Sequence, residues 1–519
     1  MKRYATLLIL VACLLGCSKP VDIATPTQLQ SNNPSDPMTK EALDQFILGK
    51  VEESGVFNWE TVDTYTLWSA LSHNEWVVTI GYQPAGEKDI NSRIHTLDMA
   101  DEQWVNARKQ IVNRVGEIVE AEQNEPLGAN TLRNYADPTL PYLVMQVKSF
   151  NALEALREMP EVRYLEVADY VIDDPGADNQ RSSKGCGDNP VNLNSITQDF
   201  TAIGNAIVPW NFYNMGIPQA WGQSNGDNIT VGLIDTGISP GQINLTTNFT
   251  GGLVPYRYVE RYGTFDPSFW WWWDYEPDGP NDDCSHGTSM AGFIAAPRNT
   301  SLRSTTGVAY GANLISVRGT NDVVINEGNE KKGVSDALVL LGNRSDVRII
   351  SMSLGDVISS GQVSDAIRYA YGRGKLIFTA AGTSLSFTNW YGVIFPANMS
   401  ETVAVTGITD NPSRLEECEV CHYGSKVDFS LPMQRAGDGD RTSLTLSRQT
   451  DYPDNKIEYV GGSSCATATL AGIAAVVWSK DPYQSRSQVL DKLIRASQLY
   501  PYRNSRFGWG SVNVAEALQ

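Results

Sequence analysis

Four histidines occur in this chain of 519 residues, and His286 opens the run His286-Gly287-Thr288-Ser289-Met290-Ala291-Gly292. Upstream, the apolar run Val231-Gly232-Leu233-Ile234 delivers Asp235-Thr236-Gly237; downstream, Gly462-Ser463-Ser464-Cys465-Ala466-Thr467-Ala468 leads into the apolar stretch Leu470 to Trp478. A serine hydroxyl is a weak nucleophile until an imidazole takes its proton, and the imidazole needs a carboxylate to fix its tautomer and stabilise its cation. Asp235, His286 and one of the adjacent pair Ser463 and Ser464 supply those three groups. A serine at the start of a helix also gains from the positive end of the dipole, and its own N–H is placed to face an oxyanion. Of the other histidines, His73 and His95 lie far upstream and His422 follows a pair of cysteines.

Such groups need a rigid frame. Near-continuous apolar runs at Ile229 to Ile234, Leu314 to Val317, Val347 to Leu354, Leu376 to Ala381 and Val403 to Ile408 read as buried strands. Amphipathic segments such as Val334 to Leu341 and Val363 to Tyr371 lie between them. Apolar strands alternating with helices predict an α/β fold, a parallel sheet with helices on both faces. An earlier region reads strand Trp76 to Tyr82, then a helix with Trp104, Ile111, Val115 and Ile118 on one face. Strand Tyr142 to Val147, helix Asn151 to Glu158 and strand Val162 to Val167 follow, a small α+β domain.

In all three site segments the chain resembles the subtilisin-like serine proteases, whose triad runs in the order Asp, His, Ser. The resemblance spans about Trp210 to Leu518 and includes the closing Gly508-Trp509-Gly510-Ser511-Val512-Asn513-Val514. It implies a serine endopeptidase acting on polypeptides through an acyl-enzyme, with no cofactor needed for the chemistry. Family register makes Ser464, directly before Cys465-Ala466, the nucleophile, with Asp235 and His286 as its partners; Cys465 stands where the family often has Met. Ser353-Leu354-Gly355 resembles the strand edge that pairs with substrate backbone. Ala380-Ala381-Gly382-Thr383 falls where the family has Ala-Ala-Gly-Asn, so Thr383 and the Ser464 N–H are the expected oxyanion donors. A Thr hydroxyl donates but is shorter and differently aimed than the Asn amide. This substitution motivates the alternative of a catalytically weak or inactive binding protein on a protease scaffold. Tyr142 to Val171 resembles the inhibitory propeptide of the family, which implies a zymogen with its own propeptide domain as a partner. Family members often bind calcium, for which Asp438-Gly439-Asp440 offers two acids and no full ligand pattern.

At the N-terminus, Lys2-Arg3 and the apolar run Tyr4 to Leu15 form an export signal too short to span a bilayer permanently. It ends Leu14-Leu15-Gly16-Cys17, which resembles the bacterial lipobox and makes Cys17 the expected lipidation site. The expected organisation is signal 1–17, tether 18–40, propeptide-like domain 41–174, linker 175–190 and catalytic domain 191–519. The expected location is the bacterial cell envelope, on an outer-membrane or surface lipid anchor, with a released soluble form after cleavage between Ile172 and Cys186. The net charge of −19 argues against nucleic-acid binding, because phosphate contacts need Lys and Arg.

Seven cysteines less Cys13 and Cys17 leave Cys186, Cys284, Cys418, Cys421 and Cys465. With Cys465 as a buried free thiol, the other four allow three pairings. Cys418-Glu419-Val420-Cys421-His422 also matches a haem attachment motif, which raises a second rival, an electron-transfer lipoprotein. Four tryptophans, Trp270 to Trp273, are followed by Asp274, Glu276, Asp278, Asp282 and Asp283, read as solvated acids or an acidic rim for basic peptides.

Overall fold

Short polar side chains start the first helices of the N-terminal part. These elements are α1 (Lys40–Ser54), α2 (Thr64–Ser72), β1 (Val77–Tyr82), α3 (Glu102–Gln123), β2 (Asn134–Ala136), β3 (Tyr142–Gln146), α4 (Phe150–Glu158) and β4 (Val162–Val167). Thr39, Asp63 and Ser149 accept from the N–H groups of Ala42, Thr66 and Ala152, satisfying donors that α1, α2 and α4 leave unpaired. The strands form a sheet in the order β2-β3-β1-β4, with β1 antiparallel to both β3 and β4. On α3 the buried side chains are Trp104, Ala107, Ile111 and Val115, while Ile118, expected on the same face, is half-buried against the same core.

The structure is a computed structural model that describes residues 36–123, 132–173, 185–268, 274–299, 301–383, 392–448 and 457–519. Cys17 and the signal, most of the tether, residues 174–184 of the expected cleavage window and Trp270 to Trp273 lie outside these residues.

The second part contains β5 (Phe200–Ile203), β6 (Ala206–Pro209), α5 (Trp210–Asn214), α6 (Ile217–Ala220), β7 (Thr230–Asp235), β8 (Val259–Gly263), α7 (His286–Ala295), β9 (Ser304–Thr305) and β10 (Asn313–Arg318). It continues with α8 (Gly328–Asn343), β11 (Val347–Met352), α9 (Gly361–Gly372), β12 (Leu376–Ala380), β13 (Thr402–Thr409), β14 (Phe429–Arg435), β15 (Asp438–Leu446), β16 (Ile457–Val460), α10 (Gly462–Lys480), α11 (Arg486–Arg495) and α12 (Val514–Ala517). Among the described residues a nine-stranded sheet runs β16-β15-β14-β13-β12-β11-β7-β10-β8. It is parallel from β8 through β14, and only β15 and β16 add antiparallel. The α/β architecture expected from the apolar runs is therefore present.

Helix α10 is long and apolar enough to cross a bilayer, but 89% of its apolar window is buried inside the protein. It is apolar all round because the sheet and neighbouring helices enclose it.

Residues 37–519 form one contact unit, and the small sheet shares a hydrophobic core with helices α8 and α9. Leu143, Val167 and Tyr170 belong to the same buried cluster as Val334, Leu338 and Ile367. The polar part of this junction is specific. Arg163 makes two parallel bonds to Asp365, of 2.7 and 2.9 Å, and Asp365 is fully buried. The Glu166 carboxylate accepts from Gly361 N at 2.7 Å and Ser360 Oγ at 3.0 Å, placing a negative charge at the positive end of α9.

The end of the expected linker is not a free connector. Cys186 is disulfide-bonded to Cys284, Gly187 N donates to Cys284 O, and Val191 N donates to Ile457 O of β16. From Cys186 onward these residues are built into the second part.

Candidate active site

Asp235 ends β7 and His286 begins α7, so a β-strand terminus and a helix start must meet. Glycine makes the approach close enough: a Cβ on Gly287 would lie 2.3 Å from Gly237 O. Thr236 Oγ1 then accepts from Gly287 N at 2.9 Å. In the resulting geometry His286 Nδ1 is 2.7 Å from Asp235 Oδ1, with Asp235 fully buried and His286 7% exposed. Burial works against the charged imidazole, but Asp235, with Asp282 and Glu458, outweighs it and raises the His286 pKa above its ordinary value.

Ser464 lies in the first turn of α10, where backbone N–H groups have no helical partner. The adjacent serines differ. Ser463 is fully buried and its Oγ is 3.0 Å from Thr383 Oγ1, whereas Ser464 keeps 9% exposure. Ser464 O accepts from Ser353 Oγ at 3.0 Å, which ties the end of β11 to the start of α10. Thr383 follows β12 and so reaches the same helix start from the neighbouring strand. Cys465 Sγ donates to Gly461 O, and burial pushes its thiol pKa well up, which disfavours a thiolate beside Ser464.

Three sequence expectations change. Ser353, Leu354 and Gly355 are buried, and the backbone of Gly355 is already paired. Its N donates to Val323 O at 3.1 Å and its O accepts from Ile325 N at 3.3 Å, so the segment 323–325 occupies that backbone. Asp282 does not belong to an acidic rim. It is 3% exposed and accepts from Thr236 Oγ1, Cys284 N, Ser285 N, Thr288 N and Thr288 Oγ1. Asp274, Glu276, Asp278 and Asp283 are exposed as expected, and Asp278 accepts from Arg318 at 2.7 Å. The cysteines resolve into Cys186–Cys284 and Cys418–Cys421 with Cys465 free, so neither Cys418 nor Cys421 is available for haem attachment.

Asp282 is the positioning residue that sequence reasoning missed; its signal was an acid four residues before the site histidine with a Thr two residues after it. Asp282→Ala is expected to cost about 2–4 kcal/mol, since several buried donors lose their acceptor together. The urea midpoint of a Ser464→Ala/Asp282→Ala protein, compared with Ser464→Ala alone to avoid self-digestion, measures it. An unchanged midpoint would show that the turn into α7 does not depend on this carboxylate.

Glu458 was also not singled out. It is 1% exposed on β16 and accepts from Ser289 Oγ, one turn beyond His286, and from Asn189 N at 2.9 Å. Burial pushes its carboxyl up to about 7. For the metal expectation, no group of three His, Cys, Asp or Glu side chains converges among the described residues. Asp438 and Asp440 on β15 have no third such side chain converging on them among the described residues.

Strands β7, β11 and β12 are parallel neighbours, and Asp235, with His286 beside it, and the start of α10 lie at their C-terminal ends. Residues 226–510 match the model of the subtilase family. The chain is similar to subtilisin DY of Bacillus licheniformis, 28% identical over 295 residues, which cover 57% of this chain and 92% of that one. It is also similar to thermitase of Thermoactinomyces vulgaris, 25% identical over 303 residues, which cover 58% and 92% of the two chains. In fold it resembles fervidolysin of Fervidobacterium pennivorans, described as a keratinolytic enzyme related to subtilisin. The TM-score is 0.56 at 16% identity, covering 86% of this chain and 61% of that one. The chain belongs to the subtilase family and is a serine-type endopeptidase.

Proposed function

We propose that the enzyme hydrolyses peptide bonds through an acyl-enzyme on Ser464, with His286 as base and Asp235 as its orienter. The buried 2.7 Å contact between His286 Nδ1 and Asp235 Oδ1 carries this reading. With Nδ1–H donated to Asp235, Nε2 is left to accept the Ser464 hydroxyl proton as Oγ attacks the substrate carbonyl. The imidazolium then gives that proton to the leaving amine as the C–N bond breaks, and water repeats the sequence to release the acid. Negative charge on the tetrahedral oxygen is met by the Ser464 N–H and the Thr383 hydroxyl.

The N-terminal part, 41–174, is the propeptide-like domain of a zymogen in this reading. Its support is the shared core with α8 and α9 and the Arg163 and Glu166 contacts to α9. Cleavage falls between Ile172 and Cys186, and Cys17 carries a lipid that holds the protein at the bacterial envelope. After cleavage the Cys186–Cys284 disulfide keeps the new N-terminal segment beside His286.

A fluorophosphonate probe tests the site. Wild type is expected to label at Ser464 and to show a new N-terminus in the 172–186 window, while Ser464→Ala stays unlabelled and full length. Absence of label in a processed, folded wild type would sink the enzyme mechanism. A labelled protein that is never cut would sink only the zymogen.

The acidic groups around His286 set a pH expectation. Only the neutral imidazole accepts a proton, so kcat/KM rises with pH through a midpoint above the ordinary histidine value of about 6.5. Glu458, itself raised to about 7, is charged through the upper part of that range, so Glu458→Gln is expected to move the midpoint down. A pH profile with an unmoved or higher midpoint in that variant would show that Glu458 does not act on the imidazole.

A further inference from the structure

The crosslinked turn Cys418–Cys421 has no part in the chemistry so far, yet it lies against both pieces of the oxyanion site. Cys421 pairs with Thr383 as an antiparallel bridge, and His422 N donates to Gly382 O at 3.0 Å. Both half-cystines are buried, at 3% and 6% exposure. On the other side, the disulfide rests on Gly407 of β13. A Cβ placed there would lie 2.6 Å from Cys421 Sγ and 3.3 Å from Gly462 O, the carbonyl of the first residue of α10. Val420, within the crosslinked turn, reaches toward the same helix start, with its Cγ2 3.7 Å from where a Gly462 Cβ would be. Gly382 has φ +130° and presses on the His422 ring, where a Cβ would come within 2.3 Å of Nδ1.

We propose that this turn is a positioning bracket for Thr383, holding its backbone in register with Ser463 and Ser464 so that its short hydroxyl reaches the oxyanion. The inference rests on the proposed role of Thr383. A Thr side chain has one rotatable bond before its donor and little reach, so its aim is set almost wholly by where the backbone sits. Oxyanion stabilisation depends on donors that are in place before charge develops, and a misplacement of about 1 Å costs on the order of 10²-fold. A four-residue disulfide loop has few conformations, and this one fixes Thr383 through a main-chain bridge. The 3.0 Å contact between Thr383 Oγ1 and Ser463 Oγ shows the hydroxyl held against the nucleophile's helix.

The test is a double-mutant cycle on the full chain, comparing wild type, Cys418→Ala/Cys421→Ala, Thr383→Ala and the combination, with urea midpoints confirming that each is folded. The cysteine pair is expected to lower kcat at least about tenfold with KM within about twofold, and to change kcat by less than about twofold once Thr383 has been replaced. Gly407→Ala, which pushes on Cys421 Sγ without removing the disulfide, is expected to repeat this pattern and serves if the cysteine variant does not fold. Equal losses with Thr383 in place and in the Thr383→Ala background, or no loss in either, would overturn the bracket. If Thr383→Ala itself leaves kcat at the wild-type value, the oxyanion role of Thr383 fails, and that outcome is distinct from the first two.

Discussion

Ser464→Ala is expected to lower kcat on a chromogenic peptide by on the order of 10⁶-fold, and His286→Ala by a similar factor. Nucleophile and base act as one unit, so the double substitution should be scarcely worse than either single one. What survives is the stabilisation offered by the oxyanion donors and substrate binding, about 10³–10⁴-fold over water. Ser463→Ala supplies the contrast. Its hydroxyl is buried against Thr383, so it should label with fluorophosphonate and lose far less activity. A Ser464→Ala protein with more than about 1% of wild-type kcat, or a dead Ser463→Ala beside it, would move the nucleophile by one residue.

Asp235→Asn is expected to cost about 10⁴-fold in kcat while leaving the fold intact. Asp235 Oδ1 accepts from Thr236 N at 2.8 Å as well as facing His286 Nδ1. Both contacts fall on one oxygen, so an Asn whose amide nitrogen takes that place donates to Nδ1 and gives up the bond from Thr236 N. The imidazole proton would be forced onto Nε2, the nitrogen that has to accept from Ser464. Raising the pH would not restore the lost rate, because the fault is the tautomer and not the charge. Kinetics across the pH range, with the urea midpoint as a folding check, measure this. A loss below about tenfold would mean that another group fixes the ring.

The parallel sheet was legible because its strands are buried on both faces, so Ile229 to Ile234 and Val403 to Ile408 are apolar apart from the buried Thr230 and Thr406. The site residues were legible for a different reason: rare residue types open helices at particular places. Helix α1 was missed although Leu43, Ile47 and Val51 stand four apart, since charged neighbours lower its overall apolar character. Strands β14 and β15 pair antiparallel and carry polar residues such as Gln434, Asp440 and Arg441, so no apolar run marks them. Asp282 and Glu458 were hidden more deeply. An acid among acids looks solvated until the fold supplies five donors to one carboxylate and packs α7 against the other. The paired Gly355 backbone was equally invisible, because a main-chain bond to Val323 depends on backbone placement and leaves no mark on residue type.

The order of strands has a consequence for synthesis. Strand β7, which carries Asp235, sits inside the large sheet between β10 and β11, both of which follow it in the chain. Asp235 and His286 are separated by 51 residues, and Ser464 lies on α10, after every strand of that sheet. A ribosome therefore releases the carboxylate and the imidazole well before the nucleophile exists. Non-local pairing of this kind is slow to form, since long loops must close before contacts reward them. A partial chain ending before α10 lacks Ser464, and with it the nucleophile of the proposed mechanism, however much of the sheet has formed.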